Sequence, residues 1–128
     1  MSKFELLIKD FIKALKRLEE VLNEEKTDIV RDSAIKRFEI VFDLSWKTIK
    51  AFLEKYHNIT CASPRNCFKE AFRLGLIEYN DYWLTLIDNR NYTAHSYNEI
   101  LADKIYNNLP QSLDFFQKII KSLTEIKE

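Results

Sequence analysis

Arg90, His95 and Tyr97 stand within one eight-residue run, in the stretch DNRNYTAHSY (88–97). An imidazole titrates near neutrality and can give or take a proton. A guanidinium is always charged and forks onto phosphate oxygens. A phenol beside them offers a hydroxyl that can be modified. That set fits phosphoester chemistry without a metal: a base removes a ribose 2′-hydroxyl proton and a cation stabilises the crowded phosphorus as that oxygen attacks. The reaction needs an acid as well as a base, and one chain supplies one such histidine. Two-fold pairing of identical chains would bring two sets into one cleft.

Helical geometry sets a condition on this reading. In an unbroken α-helix, residues five apart lie about 140° around the axis, so Arg90 and His95 would face different ways. They meet only if the helix ends near Ala94 or if each meets its copy across a dimer axis. Asn91 and His95, and likewise Asp88 and Tyr92, are one turn apart and share a face. A plainer account competes. A histidine in a last turn is favoured by the helix dipole, Arg90 can pair with Asp88 or Glu99, and the tyrosines can be half-buried with wet hydroxyls. His57, in KYHN, has no such company and takes the plainer account.

The elements that must position these residues are helices. Among 128 residues there are one Gly, two Pro, 46% hydrophobic and 31% charged residues, with nine Phe, six Tyr and two Trp. Repeated β-turns need more Gly and Pro, and disordered chains carry fewer aromatics. Phe4, Leu7, Ile8, Phe11, Leu15, Leu18, Val21 and Leu22 recur at helical steps behind a Ser2 cap, ending near Glu24. A second helix is expected from about Asp28 to Tyr56, its stripe running Ala34, Phe38, Val41/Phe42, Ser45/Trp46, Ile49, Phe52/Leu53 and Tyr56. Ser63-Pro64 opens a short helix that stops at Gly75. Asn80 or Asp81 opens the next. A last helix spans about Asn98 to Ile126, with Ile105, Leu109, Leu113, Phe116, Ile120 and Leu123 inward and Pro110 kinking or splitting it. The expected fold is all-α, an up-down bundle of about five helices forming one domain over 1–128. Trp46 and Trp83 are expected to anchor its core.

Composition narrows the partners. Twenty basic residues balance twenty acidic ones, so no global field draws nucleic acid or an anionic membrane. Any RNA contact must be local; the cluster Arg31, Lys36 and Arg37 is either a solvated helix face or, at Arg37, a contact to a partner or an RNA backbone. No signal peptide and no long apolar run is read, so a soluble, cytoplasmic protein is expected. Cys61 and Cys67 have no second pair to make a zinc site and are expected as free thiols in a reducing cytosol. No metal and no cofactor is expected.

Arg-x4-His-x-Tyr at Arg90, His95 and Tyr97 resembles the signature of HEPN domains, specifically HepT-like proteins of the nucleotidyltransferase substrate-binding family. Three blocks carry the resemblance: RDSAIKRFEIVFDLSWKTIKAFLE (31–54), SPRNCFKEAFRLGLI (63–77) and W-x6-RN-x3-H-x-Y (83–97). Together they cover most of residues 4–125. The resemblance implies a HEPN-like homodimer partnered by a minimal nucleotidyltransferase, as a toxin–antitoxin pair. It implies a metal-independent ribonuclease with Arg90 and His95 catalytic; beside them, Asp88, Asn91 and Arg37 are expected as supporting or binding positions. Tyr97 is then the acceptor of AMP from ATP, a modification that silences the toxin. Some relatives are described only as substrate-binding subunits, and a non-catalytic subunit that presents substrate to the nucleotidyltransferase is the alternative.

Overall fold

In the computed structural model, which describes residues 1–125, five α-helices follow one another: α1 (Lys3–Leu22), α2 (Asp28–His57), α3 (Pro64–Arg73), α4 (Tyr82–Tyr92) and α5 (Glu99–Thr124). A single 3₁₀ turn, Thr93–His95, joins α4 to the loop before α5. Among the described residues there is no strand, and no helix is long and apolar enough to cross a membrane.

The helix ends follow their local chemistry. Ser2, Thr27, Ser63 and Asn98 each accept a backbone N–H of the first turn of their helix, supplying partners for donors that a helix start leaves open. Asn80, not Asp81, does this for α4, its Oδ1 accepting the Tyr82 N–H at 2.9 Å. Gly75 has φ of +69° and closes α3. The N–H of Leu76 reaches the Ala71 carbonyl and that of Gly75 reaches Phe72, the paired bonds of a left-handed helix stop. The expected end of the last helix at Ile126 lies outside the described residues.

The long helices α1, α2 and α5 enclose a core centred on aromatic rings. Phe116 packs against Phe11 and Phe38, and Phe68 against Phe42 and Phe115. All but Phe115 are at most 2% exposed, and each such ring contributes roughly 1.5–3 kcal/mol by leaving water. Pro110 does not split α5, which runs unbroken past it.

Four expectations change. The inward face of α5 is Ile105, Leu109, Ser112, Phe116, Ile119 and Leu123, with Leu113 and Ile120 only half-buried. Ser112 belongs there because its hydroxyl meets that of buried Tyr82 at 2.7 Å. Trp83 is buried, but Trp46 is half-buried and Tyr56 is exposed. Arg31 is not on a solvated face: it is 5% exposed. Finally, Cys61 and Cys67 are joined in a disulfide rather than free. Both side chains turn into the core, with Cα atoms 5.2 Å apart, within bridging range for two cysteines.

Candidate functional site

The α-helix carrying Arg90 stops at Tyr92, and the tighter 3₁₀ turn carries the chain through His95. Of the two conditions set by helical geometry, the first is therefore met slightly early: Arg90 and His95 are not on one continuous α-helix. Tertiary contacts then divide the motif into two parts.

Arg90 is held. Its Nε donates to Asp43 Oδ1 at 3.3 Å, its Nη2 to Asp43 Oδ2 at 3.4 Å and its Nη1 to Thr93 Oγ1 at 3.0 Å. The Thr93 hydroxyl donates in turn to the Arg90 carbonyl at 2.7 Å. The forked pairing with Asp43 of α2 fixes the plane of the guanidinium. Five N–H donors less three engaged ones leaves two, and the side chain keeps 30% of its surface exposed. Its partner is thus neither Asp88 nor Glu99, the pairings read from sequence. Glu99 instead faces Arg31, 3.9 Å away.

His95 and Tyr97 are open. His95 Nδ1 lies 3.3 Å from the Tyr97 hydroxyl, with the rings edge to face at 5.9 Å. Either group can donate, depending on the imidazole tautomer. Tyr97 is 82% exposed rather than half-buried, and His95 is exposed too. Among the described residues no hydrogen bond joins this pair to the Arg90 cluster. Asp88 and Asn91 are exposed on α4 and enter neither group. His57, at the end of α2, is exposed beside Phe52, where a cation suits the helix dipole.

Sequence reasoning missed Asp43 and Thr93. Thr93 carried a signal, since it stands one turn after Arg90. Asp43 carried none, being 47 residues away. The resemblance block 31–54 includes it without marking it.

Arg31 makes the other interhelical arginine cluster. Asp32 and Asp103 accept hydrogen bonds from it at 3.1 and 3.3 Å, while Asp28 and Glu99 lie 3.8 and 3.9 Å away. The hydrogen bond to Asp32 raises its pKa above the usual arginine value, against the effect of burial. Lys26 also reaches Asp103, at 3.0 Å. Lys26 first, then Arg31, holds the Asp103 carboxyl below the usual aspartate range. This knot ties the start of α2 to the start of α5, two residues beyond Tyr97. Among the described residues no group of acidic, His or Cys side chains is arranged to hold a metal ion.

An all-helical bundle with an Arg/His/Tyr surface at the α4–α5 junction is the class of protein that the fold and the motif define. The chain belongs to the nucleotidyltransferase substrate binding protein like family, whose model matches residues 6–126. It is similar to a Haemophilus influenzae protein named probable ribonuclease HepT, 34% identical over 86 residues. That match covers 61% of this chain and 59% of the relative's length. A crystal structure from Thermus thermophilus is 32% identical with a TM-score of 0.84, over 90% of this chain and 99% of that one. A second solved structure, from Haemophilus influenzae, is described as revealing the fold of a substrate binding domain of a nucleotidyltransferase. It shares the fold at a TM-score of 0.79 and 24% identity, over 92% and 99% of the two chains.

Proposed function

We propose that this chain is the HEPN partner of a minimal nucleotidyltransferase, and that Arg90, His95 and Tyr97 form a metal-independent ribonuclease site governed by modification of Tyr97. The observation that carries the reading is the 3.3 Å contact between His95 Nδ1 and the exposed Tyr97 hydroxyl. One short segment thereby couples a proton-transfer group to an acceptor oxygen.

In cleavage, His95 takes the proton of a ribose 2′-hydroxyl. The freed oxygen attacks the adjacent phosphorus, and the bond to the 5′-oxygen breaks. That oxygen takes a proton from a second His95 across a homodimer axis, leaving a 2′,3′-cyclic phosphate and a 5′-hydroxyl end. Arg90, oriented by Asp43, places its remaining donors on the phosphate oxygens as charge gathers there.

In silencing, the Tyr97 oxygen attacks the α-phosphorus of ATP bound by the nucleotidyltransferase. A P–O bond forms, pyrophosphate leaves and the phenol proton passes to His95 or water. The attached AMP puts an anion within reach of the imidazole and repels the RNA phosphate. Asp88, Asn91 and Arg37 are supporting positions in this reading.

A second reading, a subunit that presents substrate without cutting it, is favoured by the family description and by the donors of Arg90 already engaged with Asp43 and Thr93. Cleavage of RNA in EDTA by wild type and His95→Ala decides between them. The ribonuclease reading expects cyclic phosphate ends from wild type alone, with a loss of roughly 10²–10⁴ in rate for a missing proton-transfer group. No cutting by a folded, unmodified dimer selects the second.

A further inference from the structure

The neutral chain separates its charges. Away from the carboxylate-rich knot around Arg31, a surface groove of about 480 Å³ runs between α1 and α2. Asp10, Lys13, Ala14 and Arg17 line one wall; Ser33, Lys36, Arg37 and Ile40 line the other. Both sets follow the i, i+3, i+4, i+7 pattern of one helix face, so each wall is continuous. Four cations face one carboxylate. Arg37 is fixed within the groove, its Nη1 donating to the Arg17 carbonyl at 2.6 Å. Lys36 leans toward Glu39 at 3.6 Å, while Lys13, Arg17 and Lys36 are exposed.

The groove leads somewhere. On α2, Lys36, Ile40, Asp43 and Lys47 recur at four, three and four residues and lie on one face. Asp43 is the residue that holds Arg90. Ile40 therefore stands less than one helical turn, about 4.5 Å along the axis, from the anchor of the proposed phosphate clamp.

We infer that this groove is the track for single-stranded RNA on its way to Arg90, a statement that rests on the ribonuclease reading of that site. Its cations take successive backbone phosphates, whereas Ala14, Ile40 and the lysine and arginine stems offer an apolar floor to base faces. Continuity with Arg90, whose two remaining donors suit phosphate oxygens, favours RNA over an acidic protein.

The test uses the full chain carrying His95→Ala, so that RNA is bound and not cut, with a labelled oligouridylate titrated over a range of potassium chloride. The groove set adds Lys13→Glu, Arg17→Glu and Lys36→Glu. A control set adds the same charge change at Lys69, Lys118 and Lys121, outside the groove. Losing three phosphate contacts should lower the slope of log affinity against log salt by about 2 and weaken binding more than about tenfold at low salt. The control set should bind as His95→Ala alone does. Circular dichroism checks that each is folded, and glutamine in place of glutamate at the same three positions gives a milder version.

Unchanged affinity and slope in the folded groove set would overturn the track. So would an equal loss in the control set, which would mean that only net charge matters. Binding of an acidic protein lost while RNA binding stays would hand the groove to that partner. A wild type that fails to cut RNA, with groove-dependent RNA binding intact, would sink the ribonuclease reading and leave the groove standing.

Discussion

Arg31 and Arg90 are two arginines that bridge helices through carboxylates, and they end in opposite states. Arg31 is 5% exposed with carboxylates of four residues within 4 Å, so its charge is neutralised from several sides. Arg90 faces one carboxylate, keeps two donors and keeps 30% of its side chain exposed. A cation surrounded by anions has nothing left for a ligand; a cation held by one is aimed and still available. That difference, more than burial alone, separates an arginine that ties a fold together from one that can serve a site.

The contrast is broken most directly by removing each side chain in turn. On the ribonuclease reading, Arg90→Met should leave the melting temperature close to that of wild type while RNA cleavage falls about 10²–10³-fold, as for loss of one charge-stabilising group. Arg31→Met should do the reverse. It strips a buried cation from carboxylates that are mostly solvated, and that exposure reduces the cost from that of a sealed ion pair to about 1–2 kcal/mol. Parallel melting curves and cleavage assays on the two variants read both effects. Equal thermal losses with equal activity losses would erase the distinction.

Most of the fold is legible in the sequence because helix signals are local. Ser63-Pro64, Gly75 and Asn98 mark the ends where the structure has them, and the apolar steps of α1 predict its buried face. The misreadings arise where tertiary contacts override periodicity. On α5 the buried face follows alternating steps of four and three through Ser112, a polar residue that an apolar stripe passes over until Tyr82 is seen bonded to it. Arg31 reads as part of a basic surface because its carboxylates at Glu99 and Asp103 are far along the chain. Compartment argues for free cysteines, whereas the fold brings Cys61, in the segment before α3, within 5.2 Å of Cys67 between Cα atoms. At the site the motif names Arg90, His95 and Tyr97, but not the separation into an anchored arginine and an open His/Tyr pair. That separation depends on the 3₁₀ step after Tyr92 and on Asp43, and neither has a sequence marker.

Asp43 sharpens the comparison from the other side. Asp43→Asn keeps a hydrogen-bond acceptor of similar shape but removes the charge that turns the guanidinium. On the same reading, if Asp43 is what aims Arg90, cleavage should fall by about tenfold, less than for losing Arg90 itself, because the proposed clamp stays charged and only its orientation loosens. Substrate affinity should change less than turnover, and Asp43→Glu should recover part of the loss. A variant indistinguishable from wild type in both turnover and affinity would mean that Thr93 alone sets the arginine.

The smallest effect belongs to the knot and concerns acid. Lys26 and Arg31 hold the Asp103 carboxyl below its ordinary range, so the folded protein keeps this group ionised at pH values where the unfolded chain, with an aspartate near about 3.9, has begun to protonate it. The linkage therefore favours the folded state above the unfolded value and is lost as pH falls through the folded one. Melting temperatures measured from neutral pH down to about pH 3 should fall more steeply for wild type than for Asp103→Asn, which has no proton to take up there. Because 45% of the Asp103 side chain is accessible to solvent, the difference should be small but of fixed sign. Parallel slopes would mean that Asp28, Asp32 and Glu99 neutralise Arg31 without it, and that the knot is redundant where Arg90, with its single carboxylate, is not.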